Sequence, residues 1–530
     1  MTLLDSAVDV HSEDFTRRHH AMLTCLAELD AEHRRAVGGG GERYIERHRS
    51  RGKLLIRERI ELLLDPDAPF LELSTLAGWG TGFAVGGSVV SGIGVVSGVE
   101  CMIVGEDPTV LGGSTNPISQ RKVLRGLDIA AENRLPFIRL VESGGADLPT
   151  QKDIFIPGGR LFRNMTRLSS VGIPTVTVVF GNATAGGAYV PGMSDHVVMI
   201  AGRSKVFLGG PPLVRMATGE EADDEQLGGA EMHATTSGSA DYLAEDEKDA
   251  IGITRRIVAR LNWEGDKFEP RVWCEPEHDP EELLGLIPTD LREPFDPREV
   301  IARLVDGSDF DEFKPLYGTS LVTGWARVHG FAVGVLANVR GVLFSQEAQK
   351  ATQFIQLANQ GRVPLLFLQN TTGFMVGTTY EQSGIVKHGS MMINAVANSS
   401  VPHITVIMGA SYGAGQYGMC GRAFDPRFLF TWPNAKSAVM GPSQLAGVLS
   451  IVARQAAEAR GQEFDEAADE ARKAAVTKQI EYESTAFFLS GQVYDDGVID
   501  PRDTRTVLAI CLTAAHGNLE PPRPYGVFRV

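Results

Sequence analysis

Residues 173–189 read Ile-Pro-Thr-Val-Thr-Val-Val-Phe-Gly-Asn-Ala-Thr-Ala-Gly-Gly-Ala-Tyr, and residues 401–417 read Val-Pro-His-Ile-Thr-Val-Ile-Met-Gly-Ala-Ser-Tyr-Gly-Ala-Gly-Gln-Tyr. The second passage lies 228 residues after the first, with proline, apolar strand, glycine loop and tyrosine in one order. The likeness extends upstream at the same offset. Arg134-Leu-Pro136 falls on Arg362-Val-Pro364, and Leu140-Val-Glu-Ser-Gly-Gly-Ala146 on Leu368-Gln-Asn-Thr-Thr-Gly-Phe374. Gly92-Ile-Gly-Val-Val-Ser-Gly98 matches Gly324-Trp-Ala-Arg-Val-His-Gly330 at an offset of 232, so one four-residue length difference separates the two blocks. A period this long is no solenoid unit; it is a duplicated domain.

The 530 residues suit two large domains. A chain with 43% hydrophobic and 22% charged residues can bury an ample core. Its net charge of −16 argues against nucleic acid and anionic membranes as partners, so a polyanionic ligand needs a local basic pocket. The five cysteines are scattered without a C-x-x-C, which excludes a zinc knuckle or a disulfide framework. No signal segment opens the sequence and no apolar run reaches membrane-spanning length, so the expectation is a cytoplasmic enzyme with no metal.

Residues 12–36 have helical spacing and stop at Gly38-Gly-Gly-Gly41. A basic helix follows, Arg51-Gly-Lys-Leu-Leu-Ile-Arg-Glu-Arg-Ile-Glu-Leu-Leu-Leu-Asp65, whose charges read as a solvated face or as a basic rim for a phosphorylated ligand. From residue 86, short strands (95–99, 101–104, 137–141) alternate with helices such as 118–132, an α/β pattern. Residues 263–297 carry six prolines and read as a linker. Residues 456–478 read as a helix hairpinned with the segment up to Leu489.

Each half offers two glycine loops that can converge: Glu142-Ser-Gly-Gly-Ala146 with Thr184-Ala-Gly-Gly-Ala188, and Thr371-Thr-Gly-Phe374 with Tyr412-Gly-Ala-Gly-Gln416. A strand-to-helix turn leaves the first N–H groups of the helix unpaired and adds a positive dipole end. Two such groups aimed at one point stabilise an enolate or tetrahedral oxyanion. Nothing supplies an obvious base. There is no G-x-S-x-G elbow, no H-E-x-x-H and no dinucleotide fingerprint followed by a ribose-binding acid, and His196, His233, His388 and His403 stand isolated. Oxyanion donors without a base point to a base brought by a cofactor or substrate.

At these residues the chain resembles the β subunit, or carboxyltransferase component, of biotin-dependent acyl-CoA carboxylases. The resemblance runs through Arg51-Gly-Lys-Leu-Leu-Ile-Arg-Glu-Arg59, Glu142-Ser-Gly-Gly-Ala146, Ala185-Gly-Gly-Ala-Tyr189, Phe207-Leu-Gly-Gly-Pro-Pro-Leu-Val214, Leu227-Gly-Gly-Ala230, Asp495-Asp-Gly-Val-Ile-Asp-Pro-Arg-Asp-Thr-Arg505 and Tyr525-Gly-Val-Phe-Arg529. Asn370-Thr-Thr-Gly-Phe-Met-Val-Gly377 and Gly413-Ala-Gly-Gln-Tyr-Gly-Met-Cys-Gly-Arg422 look like the methylcrotonyl-CoA and geranyl-CoA branch. The propionyl-CoA branch is expected to show a Pro-Gly-Phe-Leu-Pro-like loop at 372–376. The chain departs from the methylcrotonyl pattern at Met440-Gly-Pro-Ser-Gln444, where Gly-Gly-Glu-Gln is typical.

The resemblance implies two tandem crotonase-like domains. A helical segment at 1–85 leads into an acyl-CoA-side domain at 86–270. A linker at 271–297, a carboxybiotin-side domain at 298–520 and a tail at 521–530 complete the chain. It implies a homo-oligomer, a β hexamer within an α6β6-type complex, in which biotin is carried by a separate biotinylated α subunit and an acyl-CoA thioester is the substrate. Carried onto this sequence, Gly186 and Gly187 form the first oxyanion hole with Gly145 and Ala146 beside them. Ala414 and Gly415 form the second with Gly373 and Phe374 as the biotin side, and Met375 and Val376 line the acyl pocket. The biotin nitrogen freed of CO2 then takes the substrate proton, so no protein base is needed. Lys122, beside Arg121, is the expected contact for the CoA phosphates. Other acyl-CoA carboxylase β subunits, and a CoA-ester decarboxylase subunit working beside a membrane partner, share these features. A peptidase of similar spiral fold would need a Ser–His–Asp site.

Overall fold

The computed structural model describes residues 2–263, 272–339, 341–519 and 524–528. It contains two eight-stranded mixed sheets with one topology. In the first, the strands Phe70–Leu73, Val89–Val96, Val99–Glu106, Phe137–Ser143, Thr175–Thr184, His196–Ile200 and Tyr242–Ala244 lie side by side in chain order, with Lys205–Phe207 paired to the far end of Thr175–Thr184. In the second, Thr2–Leu3 leads Asp309–Glu312, Leu321–Val328, Phe331–Asn338, Leu365–Thr371, His403–Tyr412 and Phe428–Thr431, with Lys436–Ala438 on the far end of His403–Tyr412. In both, an antiparallel edge gives way to parallel strands covered on both faces. These strands are therefore continuous apolar runs rather than alternating ones.

The duplication reaches individual hydrogen bonds. Each long hairpin turns on two left-handed residues, Ser97-Gly98 and His329-Gly330, whose twist matches that of the strands. The carboxylate of Asp65 accepts from Ser97 N and Gly98 N, both at 2.7 Å, and pairs with Arg255. Asp306 does the same for His329 N at 2.9 Å and Gly330 N at 2.7 Å, and pairs with Arg505. The expected strand at 95–99 thus straddles this turn, because valine flanks both sides of it. The crossover helices Pro117–Asn133 and Ser345–Gly361 both end on a left-handed arginine, Arg134 and Arg362, with a proline two residues on.

The halves share one core. A single apolar cluster runs from Met102 and Val104 through Leu127 and Ile129 to Val322, Phe428 and Trp432. An ion pair and a hydrogen bond cross the same boundary: Arg125 Nε meets Asp496 at 2.8 Å, and Arg427 donates to the Glu132 carbonyl. This overturns two expectations. The stretch read as a linker contains Leu283–Leu286, buried under the N-terminal helix Glu13–Val37. A Cβ at Gly285 would stand 2.5 Å from the Phe15 ring. Nor do residues 1–85 belong to the first domain alone, since Thr2–Leu3 pairs with the second sheet and Phe70–Leu73 with the first. Prolines break periodicity without making a segment loose. Near the C-terminus, residues 456–478 are split between two antiparallel helices, Pro442–Ala459 and Glu466–Glu483, because Gly461 adopts φ +66 between them. The tail expected at 521–530 lies outside the described residues except for 524–528.

Candidate active site: two register-matched loop pairs

In each half the two glycine loops meet at the carboxyl ends of the parallel strands. In the first, Ser143 Oγ donates to Gly113 O at 2.8 Å and accepts from Gly145 N at 3.1 Å. In the second, Thr371 Oγ1 donates to Gly341 O at 3.0 Å and accepts from Gly373 N at 3.2 Å. A hydroxyl in the same place folds each loop over a left-handed glycine, Gly145 at φ +96 and Gly373 at φ +121.

The loops then pair in parallel with the segment that opens each crossover helix, Thr115 opposite Ala146 and Leu343 opposite Phe374. Thr115 N donates to Gly145 O and Thr115 O accepts from Asp147 N, both at 2.9 Å. A parallel ladder of this kind leaves the intervening residue's N–H and C=O pointing the other way. Ala146 N–H therefore faces outward, and none of the described residues accepts from it. Met375 N reaches Leu343 O at 2.9 Å, so Phe374 N–H is turned outward in the second half in the same manner.

The partner loops follow the long strands. Thr175–Thr184 turns into a helix at Ala185–Ala188 through Ala185 at φ +54, and His403–Tyr412 enters Gly413–Gly418 through Gly413 at φ +57. One left-handed residue aims each helix start, where the first N–H groups lack intrahelical partners. The loops touch. A Cβ on Gly145 would lie 3.2 Å from Thr184 Oγ1, and one on Gly415 would lie 3.1 Å from Gly373 N. The first pair thus meets through Gly145 and Thr184, and the second through Gly415 and Gly373, next to Ala414 and Phe374.

The two pairs are not interchangeable. A Cβ at Gly187 meets nothing within 4 Å, so that glycine borders open space. At Gly415 it would lie 2.6 Å from Thr371 Oγ1 and 2.9 Å from the Gly373 Cα, so this glycine is needed for packing. Beside it, Ala414 is exposed. Phe374 packs against the sites of Gly389 and Gly418 and so belongs partly to the core, Met375 is half-buried, and Val376 is 74% exposed.

The Lys122 assignment does not stand. Its side chain is buried, with Nζ 3.4 Å from Gly86 O, because the residue lies on the inner face of the crossover helix. It cannot meet a phosphate in solvent. Arg121 points outward instead and donates to Gln492 Oε1 at 3.0 Å. The stretch expected as one basic helix over 51–65 is helical only at Ile56–Leu63, after a turn at Arg51-Gly52, and it is less solvated than its charges imply. Arg59 is 1% exposed, with its guanidinium 2.8 Å from Glu142 and 3.0 Å from Glu247, stacked 4.3 Å over the Phe180 ring. Lys53 Nζ pairs with the other oxygen of Glu142. Burial alone would raise the Glu142 carboxyl, but Arg59 and Lys53 hold it below the usual carboxylate range. Glu142 immediately precedes the first glycine loop, so this cluster anchors the loop from beneath. The signal was in the sequence as charges placed where an amphipathic helix buries its face. Arg43, Arg47 and Arg51, four residues apart, remain exposed and form no ion pair among the described residues.

Among the described residues no group of three or more His, Cys, Asp or Glu side chains could hold a metal, and no helix is long and apolar enough to cross a membrane.

Residues 47–528 match the carboxyl transferase domain family. The chain is 67% identical, over the full length of both proteins, to a probable biotin-dependent acyl-coenzyme A carboxylase β2 subunit of Mycobacterium tuberculosis. It is 48% identical to the methylcrotonoyl-CoA carboxylase β chain of Dictyostelium discoideum, covering all of this chain and 91% of that one. The crystal structure of the geranyl-CoA carboxylase β subunit of Pseudomonas aeruginosa superposes with a TM-score of 0.91 at 45% identity, covering 99% of each chain. The chain belongs to the carboxyl transferase family and is a carboxyltransferase β subunit of the biotin-dependent acyl-CoA carboxylase type, built of two tandem crotonase-fold domains.

Proposed function

We propose that this subunit transfers a carboxyl group from carboxybiotin, carried on a partner α subunit, to an acyl-CoA of the 3-methylcrotonyl type. The observation that carries the reading is the pair of outward N–H groups at Ala146 and Phe374, each on a loop that touches the turn from a long strand into a helix. The residues suit the two oxygens involved. Ala146 N–H and the Gly186–Gly187 turn leave open space for a thioester oxygen. Phe374 N–H and the exposed Ala414 offer donors to a ureido oxygen. When bound, the carboxylated cofactor supplies the carboxyl group and, once freed of it, a basic nitrogen.

The protein's part is electrostatic. The first pair holds the negative charge that develops on the thioester oxygen when the substrate loses its proton. The second holds the ureido oxygen in place. Both act through backbone dipoles fixed before the reaction starts, which is where such donors are most effective. Glycine at 145, 186 and 187 leaves the approach to these donors unobstructed. The exposed apolar side chains Leu148 and Val376, each two residues past an outward N–H, suit closure by a second copy of the chain, in keeping with a β hexamer inside an α6β6-type complex. Phosphates of CoA find exposed guanidiniums, without an ion pair among the described residues, at Arg43, Arg47 and Arg51.

The test is a panel of acyl-CoA substrates assayed with the cognate biotinylated α subunit. Carboxylation of 3-methylcrotonyl-CoA with the highest kcat/KM is expected. Transfer to none of the panel, with a carboxylated α subunit present, would refute the reading.

A further inference from the structure

The strongest asymmetry between the halves lies behind the second helix start. Gln369 is fully buried, and its amide makes three hydrogen bonds to the segment 411–419, which contains one short helix. Its Oε1 accepts from Ser411 Oγ at 2.7 Å, two residues before the helix Gly413–Gly418 begins. Its Nε2 donates to Met419 O at 2.6 Å and to Gln416 O at 3.3 Å, at the helix's far end. One planar amide therefore ties the strand end that feeds the helix, and the carboxyl-terminal turn of the helix, to the neighbouring strand. In the first half the corresponding positions, 228 residues earlier, are Val141 and Ala183, both buried and apolar, so no such clasp exists there. The same architecture thus folds with or without it.

We infer that Gln369 is a positioning residue for the carboxybiotin side. It fixes the Gly413–Gly418 helix so that the N–H groups at its start keep their aim beside Phe374. This rests on the functional reading above. A helix of six residues has little stability of its own, so its orientation depends on what grips it. A buried amide with all three bonds made is a rigid grip, and donors must be held to within about 0.5 Å to act on a developing charge.

The experiment uses the complete α–β complex, with radiolabelled carboxyl on the α subunit. Gln369→Val with Ser411→Ala rebuilds the first half's pair. It is expected to fold, to bind acyl-CoA with parental Kd, and to transfer carboxyl about 10-fold more slowly. Gln369→Glu keeps the size and the Ser411 bond but points a carboxylate at two carbonyl oxygens. Transfer should fall about 10²-fold at pH 8 and recover relative to the parent towards pH 6, as the protonated acid regains a donor. Ser411→Ala alone should show a smaller loss of transfer, which covers the case in which Gln369→Glu does not fold. Parental transfer in all three variants, or acyl-CoA affinity falling in step with transfer, overturns the assignment while leaving the carboxyltransferase reading intact. A parent complex that takes no carboxyl from the α subunit sinks both together.

Discussion

Lys122 and Lys350 stand 228 residues apart at one position of the two crossover helices, both buried, each with its ammonium on a backbone carbonyl and neither paired with a carboxylate. Lys350 Nζ donates to Leu321 O at 2.8 Å, while Lys122 reaches Gly86 O at 3.4 Å. Each ties its helix to the segment that leads into the sheet.

Such a lysine makes stability depend on pH. Burial pushes the Lys122 amine down to about 8, against an ordinary value near 10.4 in the unfolded chain. The folded state therefore gives up its proton first. Between pH 8 and 10 the unfolded state binds more protons, so this group's contribution to stability rises with pH. Below pH 8 the buried cation costs about 3 kcal/mol. Lys122→Met is expected to raise the Tm at pH 7 relative to the parent and to flatten the difference between pH 8 and 10. A Tm difference that stays constant over this range would show that the proton is not held as described.

Gly187→Val tests the first loop pair. The added side chain meets no protein atom at Cβ, so folding should survive, yet it fills open space that the proposed function assigns to the thioester oxygen. The loss of one oxyanion donor typically costs 10²–10³-fold, about 2.7–4 kcal/mol. We expect kcat/KM for acyl-CoA to fall by that factor with circular dichroism and Tm unchanged. Turnover at the parental rate would remove Gly187 from the site.

The equivalent substitution at Gly415 tests something else. Even alanine would press on Thr371 Oγ1 and the Gly373 Cα, so Gly415→Ala should destabilise by about 1–3 kcal/mol through overpacking. Ala414→Val, on the exposed neighbour, is the probe of chemistry. It should reduce transfer from the carboxylated α subunit with Tm and acyl-CoA affinity retained. Denaturant melts of the two variants separate these outcomes, and a Gly415→Ala protein as stable as its parent would contradict the packing described.

These differences mark what the sequence could carry. The 228-residue offset located both loop pairs and the repeated strand–helix order, because Pro136 and Pro364, Gly145 and Gly373 recur at positions where backbone geometry admits few substitutes. It could not reveal which side of a helix Lys122 occupies, since Arg121 and Lys122 are adjacent and only the packed sheet selects one of them. Nor could it distinguish Gly187, which borders space, from Gly415, which touches Gly373. Spacing reports the residue, while its neighbours come from loops far apart in the chain. Residues 283–286 are hidden in the sequence for a related reason. Leu283, Leu284 and Leu286 are too short a run to show a period, and only the N-terminal helix lying over them makes them core.

With Lys122 set aside, the CoA phosphates are expected at Arg43 and Arg47 on the helix Glu42–Arg49 and at Arg51 just past its end, three exposed guanidiniums with no ion pair among the described residues in a chain of net charge −16. Changing all three to alanine should raise KM for acyl-CoA about 10-fold or more, and less so at high salt, because exposed charges are screened. KM for the corresponding pantetheine thioester, which lacks the nucleotide phosphates, should not move. Equal changes for both thioesters would assign these arginines to another role.

The last prediction concerns substrate choice. Met375 is half-buried and Val376 is 74% exposed, directly after Phe374, whose ring is held against Gly389 and Gly418. Phe374 thus acts as the fixed point, and the two residues after it are free to meet an acyl group or a second copy of the chain. A flexible thioether beside a valine suits a branched or unsaturated tail. Apolar pockets discriminate by only about 1–3 kcal/mol per methylene, so several acyl-CoAs should be carboxylated at graded rates. We expect 3-methylcrotonyl-CoA to exceed acetyl-CoA in kcat/KM, and Met375→Ala to narrow that ratio about 10-fold while leaving acetyl-CoA turnover within twofold. A complex that carboxylates acetyl-CoA best would overturn the substrate assignment, and a ratio untouched by Met375→Ala would move the pocket elsewhere.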